Sequence, residues 1–166
     1  HFVGVGGIGM AALAEWLHAR GLTVTGTDLV AGATFERLRA LGLRVERGHE
    51  AGRVEGADVV VRSSAISNEN PELVAARALG LPIVGRGALL AELLRKQDTV
   101  AIAGSHGKTT TTAMTAHLLS AAGLDPTAIV GGRVPLEGGD RGPLRVGRGE
   151  WAVAEVDESD GSFLAM

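Results

Sequence analysis

Two glycine loops, each between an apolar run and a helix-like run, constrain this chain most: Gly4-Val5-Gly6-Gly7-Ile8-Gly9, and Gly104-Ser105-His106-Gly107-Lys108-Thr109-Thr110. A strand that turns through glycines into a helix aims free backbone N–H groups and the positive end of the helix at one point, which suits an anion. The first loop satisfies GxGxxG, with Asp28 closing the next strand about twenty residues on, the spacing of a dinucleotide-binding fingerprint. In the second, Lys108 is placed to reach β and γ phosphates and the Thr109 hydroxyl to ligate Mg²⁺, as in a P-loop. It departs from GxxxxGKT in having Ile102 where the first glycine belongs, so the motif is GxxGKT. His106 reads as a loop-shaping or phosphate-facing residue rather than a general base, because no orienting partner is evident for it.

Around these loops the pattern alternates strand and helix. Val3 and Val5 read as a buried strand, Met10 to Arg20 as a helix with Leu13, Trp16 and Leu17 on one face, and Gly21 as its stop. Leu22 to Gly26 reads as the second strand, and Thr34 as the cap of a helix carrying Phe35, Leu38 and Leu41. Asp58 to Val61 reads as a strand buried on both faces, Pro71 to Leu79 as a helix with proline in its first turn, Pro82 to Val84 as a strand and Ala88 to Arg95 as a helix. Lys96-Gln97-Asp98 is a polar break, after which strand, loop and helix begin again. The expected organisation is therefore two α/β domains in tandem: residues 1–97 with a Rossmann-like parallel sheet, and residues 98–166 as the start of a P-loop domain.

Residues 131–149 hold seven glycines and two prolines. That stretch reads as a mobile functional loop or an exposed insertion. Trp151 to Val156 reads as a strand running into Asp157-Glu158-Ser159-Asp160, with no completed sheet around it and therefore an unpaired edge. Glu155, inside that apolar strand, is costly unless paired or bound to metal, which points to Mg²⁺. Asp157, Glu158 and Asp160 read either as a metal-holding cluster at the strand's carboxyl end or as a solvated loop. Asp28 reads as a ribose or base contact or as a turn-capping acid. His49, Ser63 and Ser64 follow strands and read either as crevice residues or as ordinary turn residues.

Composition removes several classes. Sixteen basic against nineteen acidic residues provide no basic field for a nucleic-acid backbone. Cysteine is absent, so thiolate zinc sites, cysteine nucleophiles and disulfides are excluded. No apolar run approaches the ~18 residues of a membrane span, and the opening lacks a secretory pattern, so a cytoplasmic protein is expected.

Taken together, HFVGVGGIGMAALAEWL, SSAISNENPEL, AGSHGKTTTTAM and AEVDESDGSFL resemble the Mur ligase family of cell-wall synthesis, over residues 1–164 and most densely its alanine-adding branch. Ser105 stands where that family more often has Thr, and the missing P-loop glycine is a family trait. The resemblance implies a first domain that holds UDP-N-acetylmuramate through Gly6, Gly7, Ile8, Gly9, Met10, Asp28, His49, Ser63 and Ser64. It further implies ATP on residues 104–110, with Lys108 catalytic and Mg²⁺ shared by Thr109 and Glu155. The implied reaction is activation of the UDP-N-acetylmuramate carboxylate by ATP to an acyl phosphate, then attack by the amine of L-alanine, in peptidoglycan biosynthesis. A chain of this length is expected to hold only part of that machinery and to be inactive alone. Three rivals remain: the family's murein-peptide recycling ligase, an NAD-dependent oxidoreductase domain resting on Gly4, Gly6, Gly9 and Asp28, and a P-loop kinase or NTPase switch. The second leaves the P-loop unexplained, and the third leaves the first glycine loop without purpose.

Overall fold

The computed structural model describes residues 1–135 and 141–156. The chain divides into two compact units, His1–Leu89 and Leu90–Met166. Sequence reading places the break after Gln97, whereas this division falls inside a helix.

The first unit is α/β. Strands β1 (Phe2–Val3), β2 (Thr25–Asp28), β3 (Arg44–Arg47), β4 (Val60–Arg62) and β5 (Ile83–Gly85) form one parallel sheet in the order β3-β2-β1-β4-β5. The order reverses between β1 and β4, and in open sheets of this kind the ligand crevice opens there, at the carboxyl ends of the strands. Helices α1 (Ile8–Ala19), α2 (Ala33–Ala40) and α3 (Pro71–Ala78) connect the strands, and α4 (Arg86–Leu94) follows β5.

Burial explains most of these elements. On α1, Met10, Leu13 and Trp16 are buried, and Gly21, at φ +83°, allows the left-handed turn that ends it. Val3, Val54, Val60, Leu73 and Ala76 form a core cluster, with Ile66, Leu81 and Ile83 packed around it. Asn70 caps α3 by accepting from the Glu72 N–H at 2.9 Å, with Pro71 in the first turn. Two local expectations change. The N-cap of α2 is Gly32 without a side-chain cap bond, so Thr34 lies inside the helix rather than capping it. The fourth strand begins at Val60, leaving Asp58 and Val59 exposed.

Glu72 carries the main polar feature of this core. Its side chain has no exposure, and its Oε2 accepts from the Thr27 hydroxyl at 2.6 Å and lies 3.1 Å from His49 Nδ1 and 3.8 Å from His1 Nε2. A second buried acid, Glu15 of α1, pairs with Arg37 of α2 at 3.0 Å.

In the second unit, β6 (Asp98–Ile102), β7 (Thr127–Pro135), β8 (Arg141–Arg145) and β9 (Trp151–Glu155) form a sheet in the order β6-β9-β7-β8, and α5 (Lys108–Ala121) packs on it. β9 runs parallel between β6 and β7, so the strand expected at an unpaired edge is an interior one. β8 pairs antiparallel with β7, so much of the glycine-rich stretch is sheet. Its later glycines serve close packing: a Cβ on Gly147 would lie 2.1 Å from the Asp125 carbonyl oxygen, and one on Gly149 would lie 1.9 Å from that of Leu124. Arg145 ties β8 to Asp125 at 2.7 Å and to the Pro126 carbonyl at 2.6 Å. Among the described residues, no helix is long and apolar enough to cross a membrane.

The Glu72 cluster makes stability depend on acid. Burial alone pushes the carboxyl up, but the nearby His1 imidazole and the hydrogen-bond contacts with the Thr27 hydroxyl and His49 outweigh it and hold the group below the ordinary carboxylate value of 4.5. A carboxyl more acidic in the folded than in the unfolded chain stabilises the fold above the unfolded value, and that stabilisation is lost as pH falls through the folded one. Glu72→Gln is expected to cost about 1–3 kcal/mol at neutral pH and to flatten the loss of stability between about pH 5 and pH 3. Parallel melting profiles of the two proteins across that range would refute the assignment.

Candidate functional site

The first glycine loop crosses from β1 into α1 at the reversal of strand order. Gly4, at φ +84°, and Val5 both donate their N–H to the Thr27 carbonyl at 2.9 Å, which fastens the loop to β2. A Cβ on Gly4 would lie 3.0 Å from Ile66 and 3.1 Å from the Ser63 Cβ, so the turn after β4 packs directly on the loop. Asp28, at the end of β2, accepts from the Gly6 N–H at 2.8 Å and from the Val30 N–H at 3.0 Å. A Cβ on Gly6 would sit 2.9 Å from that carboxylate. Asp28 therefore braces the loop, the geometry of the turn-capping alternative, while standing where a ribose-binding acid belongs.

The other first-unit candidates are placed as follows. Gly7 and Ile8 are exposed at the start of α1, with Gly9 half-buried beside them, whereas the Met10 side chain lies in the core. Ser63 holds its own turn by accepting from the Ala65 N–H at 3.3 Å, and Ser64 is exposed beside it. His49 does not lie open: only 7% of its side chain is exposed, its Nδ1 faces Thr27 and Glu72, and its Nε2 is buried without a hydrogen-bond partner. Sequence reasoning missed two residues. Glu72 looks like an ordinary first-turn helix acid, and nothing local reveals that it enters the core. Arg86, the first residue of α4, lies 2.7 Å through its Nη1 from the Cβ that Gly9 lacks. A cavity of about 470 Å³ lined by His1, Thr25, Arg44 and Asp58 lies at the opposite, amino-terminal edge of the sheet, away from these groups.

In the second unit the loop after β6 is shaped by Gly104 at φ +136° and Gly107 at φ +77°, the latter the N-cap of α5. The Thr111 N–H closes the first helical turn on the Gly107 carbonyl at 2.9 Å. Lys108 folds back and donates from Nζ to the Gly104 carbonyl at 2.7 Å, so its ammonium sits over the loop. Ser105, His106 and Thr110 are exposed around it. Glu155, at the end of β9 and in register with Ile102 of β6, accepts from the Thr109 hydroxyl at 2.9 Å and from the Gly131 N–H at 2.7 Å. The acid inside the apolar strand is thus paired within the protein. A Cβ on Gly131 would stand 2.7 Å from Glu155 Oε1, so glycine is what lets the carboxylate approach β7.

The donor set beside this loop, one hydroxyl and one carboxylate, is the oxygen chemistry that a hard divalent cation takes while keeping several waters. A loop with two left-handed glycines, a lysine and a helix N-terminus likewise fits a polyphosphate. Asp157, Glu158 and Asp160, the remaining acidic candidates, lie outside the described residues.

Comparisons with known proteins agree with this geometry. The family model described as "Mur ligase family, catalytic domain" matches residues 1–98. A protein of Sorangium cellulosum named UDP-N-acetylmuramate--L-alanine ligase is 56% identical over all 166 residues, which are 35% of its own length. The crystal structure of a UDP-N-acetylmuramate-alanine ligase from Thermotoga maritima superposes with a TM-score of 0.88 at 38% identity, covering 96% of this chain and 37% of that one. A UDP-N-acetylmuramate:L-alanyl-gamma-D-glutamyl-meso-diaminopimelate ligase from Neisseria meningitides superposes at 0.84 with 33% identity, over 95% of this chain and 52% of that one. The chain thus spans about a third of the curated relative it matches, and a family match over more than half its residues, with both glycine loops formed, makes it a member of the Mur ligase family.

Proposed function

We propose that this chain is an amino-terminal part of an ATP-dependent ligase that joins L-alanine to the carboxylate of UDP-N-acetylmuramate in peptidoglycan biosynthesis, a cytoplasmic reaction. Residues 1–97 hold the UDP-sugar and residues 98–166 begin the ATP-binding domain. The observation that carries the reading is the cluster of Lys108, Thr109, Gly131 and Glu155 at the second glycine loop, in a chain 56% identical throughout to a protein of that name. The recycling ligase remains the second reading, because a ligase for a longer peptide is also a close structural neighbour.

Phosphoryl transfer asks a protein for positioning and for neutralised charge rather than covalent work. On this reading the backbone N–H groups of residues 104–107 cradle the phosphates, and Lys108 exchanges the Gly104 carbonyl for a phosphate oxygen. Thr109 and Glu155 hold Mg²⁺, which when bound neutralises charge on the phosphate oxygens. The carboxylate of the UDP-sugar takes the γ-phosphoryl group with release of ADP, and the alanine amine then displaces phosphate to form the amide. Gly6, Gly7, Ile8, Gly9 and the main chain of Met10 supply the first unit's anion site, with Asp28, His49, Ser63 and Ser64 around it.

In a chain extended to the length of its relatives, Lys108→Ala is expected to lower ATP-dependent ligation by about 10²- to 10³-fold while leaving UDP-sugar binding intact. Retained ligation, or equal loss of both, would overturn the division between the two loops. Gly131→Ala drives a methyl group into the Glu155 carboxylate and is expected to weaken binding of Mg–ATP about tenfold, or about 1.4 kcal/mol, with little change for metal-free ATP. Equal weakening in titrations with and without Mg²⁺ would remove Glu155 from the metal's ligands.

A further inference from the structure

We propose that Glu72 is a positioning residue for the ligand of the first unit: from inside the core it holds three separate stretches of chain in the relative placement that the crevice needs. The inference rests on the UDP-sugar reading above and adds to it a residue that has no exposure and so acts only through others.

The groups assigned to that ligand come from three places far apart in sequence: the glycine loop with Asp28, the turn after β3 that carries His49, and the turn after β4 that carries Ser63 and Ser64. Glu72 ties all three together. Its Oε2 accepts from the Thr27 hydroxyl at 2.6 Å; the carbonyl of Thr27 receives the Gly4 and Val5 N–H groups, and its neighbour Asp28 receives that of Gly6. On the second stretch, Oε2 lies 3.1 Å from His49 Nδ1, and Oε1 accepts from the Glu50 N–H at 3.4 Å. The third stretch is joined through the backbone. It leads directly into α3, where Asn70 accepts from the Glu72 N–H at 2.9 Å. Ile66 of that turn packs on the core cluster around Leu73 and lies beside Gly4.

The same geometry explains why an acid stands here. The Thr27 hydroxyl gives its proton to Oε2, so its own oxygen, 3.0 Å from His49 Nδ1, faces that nitrogen as an acceptor, as does the ionised carboxylate. Nδ1 therefore carries the proton, and the imidazole is held in one tautomer and one orientation. Three donors, from Thr27, His49 and Glu50, thus converge on one carboxylate. A glutamine keeps the shape but has a single accepting oxygen, and its NH₂ group must face the His49 N–H or the Glu50 N–H, so at least one of the three bonds is lost.

The test takes a chain extended to the length of its relatives as wild type, Glu72→Gln, Thr27→Val and the double variant, each below its melting temperature. Calorimetric titration with UDP-N-acetylmuramate and with Mg–ATP is paired with hydrogen exchange. Glu72→Gln is expected to raise Kd for UDP-N-acetylmuramate about tenfold, with the sites per chain and the Kd for Mg–ATP near wild type. An acid that serves only the fold behaves otherwise: its loss lowers the number of binding-competent sites and leaves both Kd values unchanged. Thr27→Val removes the hydroxyl but keeps the carbonyl, and is expected to raise the same Kd by less. The double variant is expected to fall short of the product of the two effects, because both act through one bond. Exchange at residues 4–6 is expected to quicken about tenfold in Glu72→Gln, with residues 104–111 unchanged. Unchanged Kd for UDP-N-acetylmuramate, or fewer sites with the same Kd, would overturn the role of Glu72. Should Glu72→Gln not fold, Thr27→Val decides alone, and wild-type values in both measurements would refute the inference. No wild-type binding of UDP-N-acetylmuramate would overturn the UDP-sugar reading, and exchange at residues 4–6 would then decide whether Glu72 holds the loop.

Discussion

A carboxylate without exposure must find its hydrogen bonds inside the protein, and the way Glu72 does so organises the first unit. Its Oε2 faces the Thr27 hydroxyl and His49, and the carbonyl of the same Thr27 receives both N–H groups at the start of the glycine loop. One residue of β2 thus joins a helix acid on one side to the ligand loop on the other. Removing the acid would leave a buried hydroxyl and an imidazole short of a partner directly behind the loop. The loop's conformation therefore depends on the core and not on glycine content alone. Pre-organisation of this kind keeps backbone donors aimed at one point before any anion arrives, so less ordering is needed on binding.

The glycines gain a common meaning from this. The chain has 25 of them, and at Gly6, Gly9 and Gly131 a Cβ would fall within 3 Å of a charged side chain: Asp28, Arg86 and Glu155. None of the three has a positive φ, so backbone freedom is not what selects glycine there. The selected property is thinness. A carboxylate or guanidinium that must touch main chain needs a residue with no side chain in between, and each of these contacts lies at a strand or helix end facing a loop. Gly4, Gly104 and Gly107 are the complementary case, where a left-handed backbone bends the loop itself.

The alternating grammar, both loops and the order of elements were legible because they rest on local periodicity and on glycine as a stop signal. What escaped was set by partners distant in sequence. Residues 131–149 carry the composition of a loop, yet β8 is held by pairing with β7 and by Arg145 reaching back to Asp125, and no local pattern encodes either. The interior place of β9 follows from a crossover that brings Trp151–Glu155 between β6 and β7, which an apolar run at the end of a sequence does not reveal. Hydroxyl residues favour the cap position, which points to Thr34, but the helix begins earlier, at a glycine. Glu155 was legible for the opposite reason: an acid inside an apolar strand is an anomaly, and anomalies in burial are visible in one dimension. Glu72 and Arg86 are ordinary helix-start residues until the tertiary structure gives them neighbours.

The two loops differ in a way that suits a division of labour under the proposed function. A cofactor whose phosphoryl group leaves must be held more tightly at the transition state than at the start, and the part of a substrate remote from its reacting carboxylate needs firm, geometrically specific holding throughout. Lysine is a compact point charge on a flexible stem, and Lys108 here rests on a carbonyl that it can leave for a phosphate oxygen as charge develops. The first unit places an arginine beside backbone donors braced by Asp28, and the second places a lysine beside a hydroxyl and carboxylate suited to a divalent cation. The same strand, glycine loop and helix thus occur twice, and the side chains that distinguish them are supplied by neighbouring elements: α4 in one case and β9 in the other.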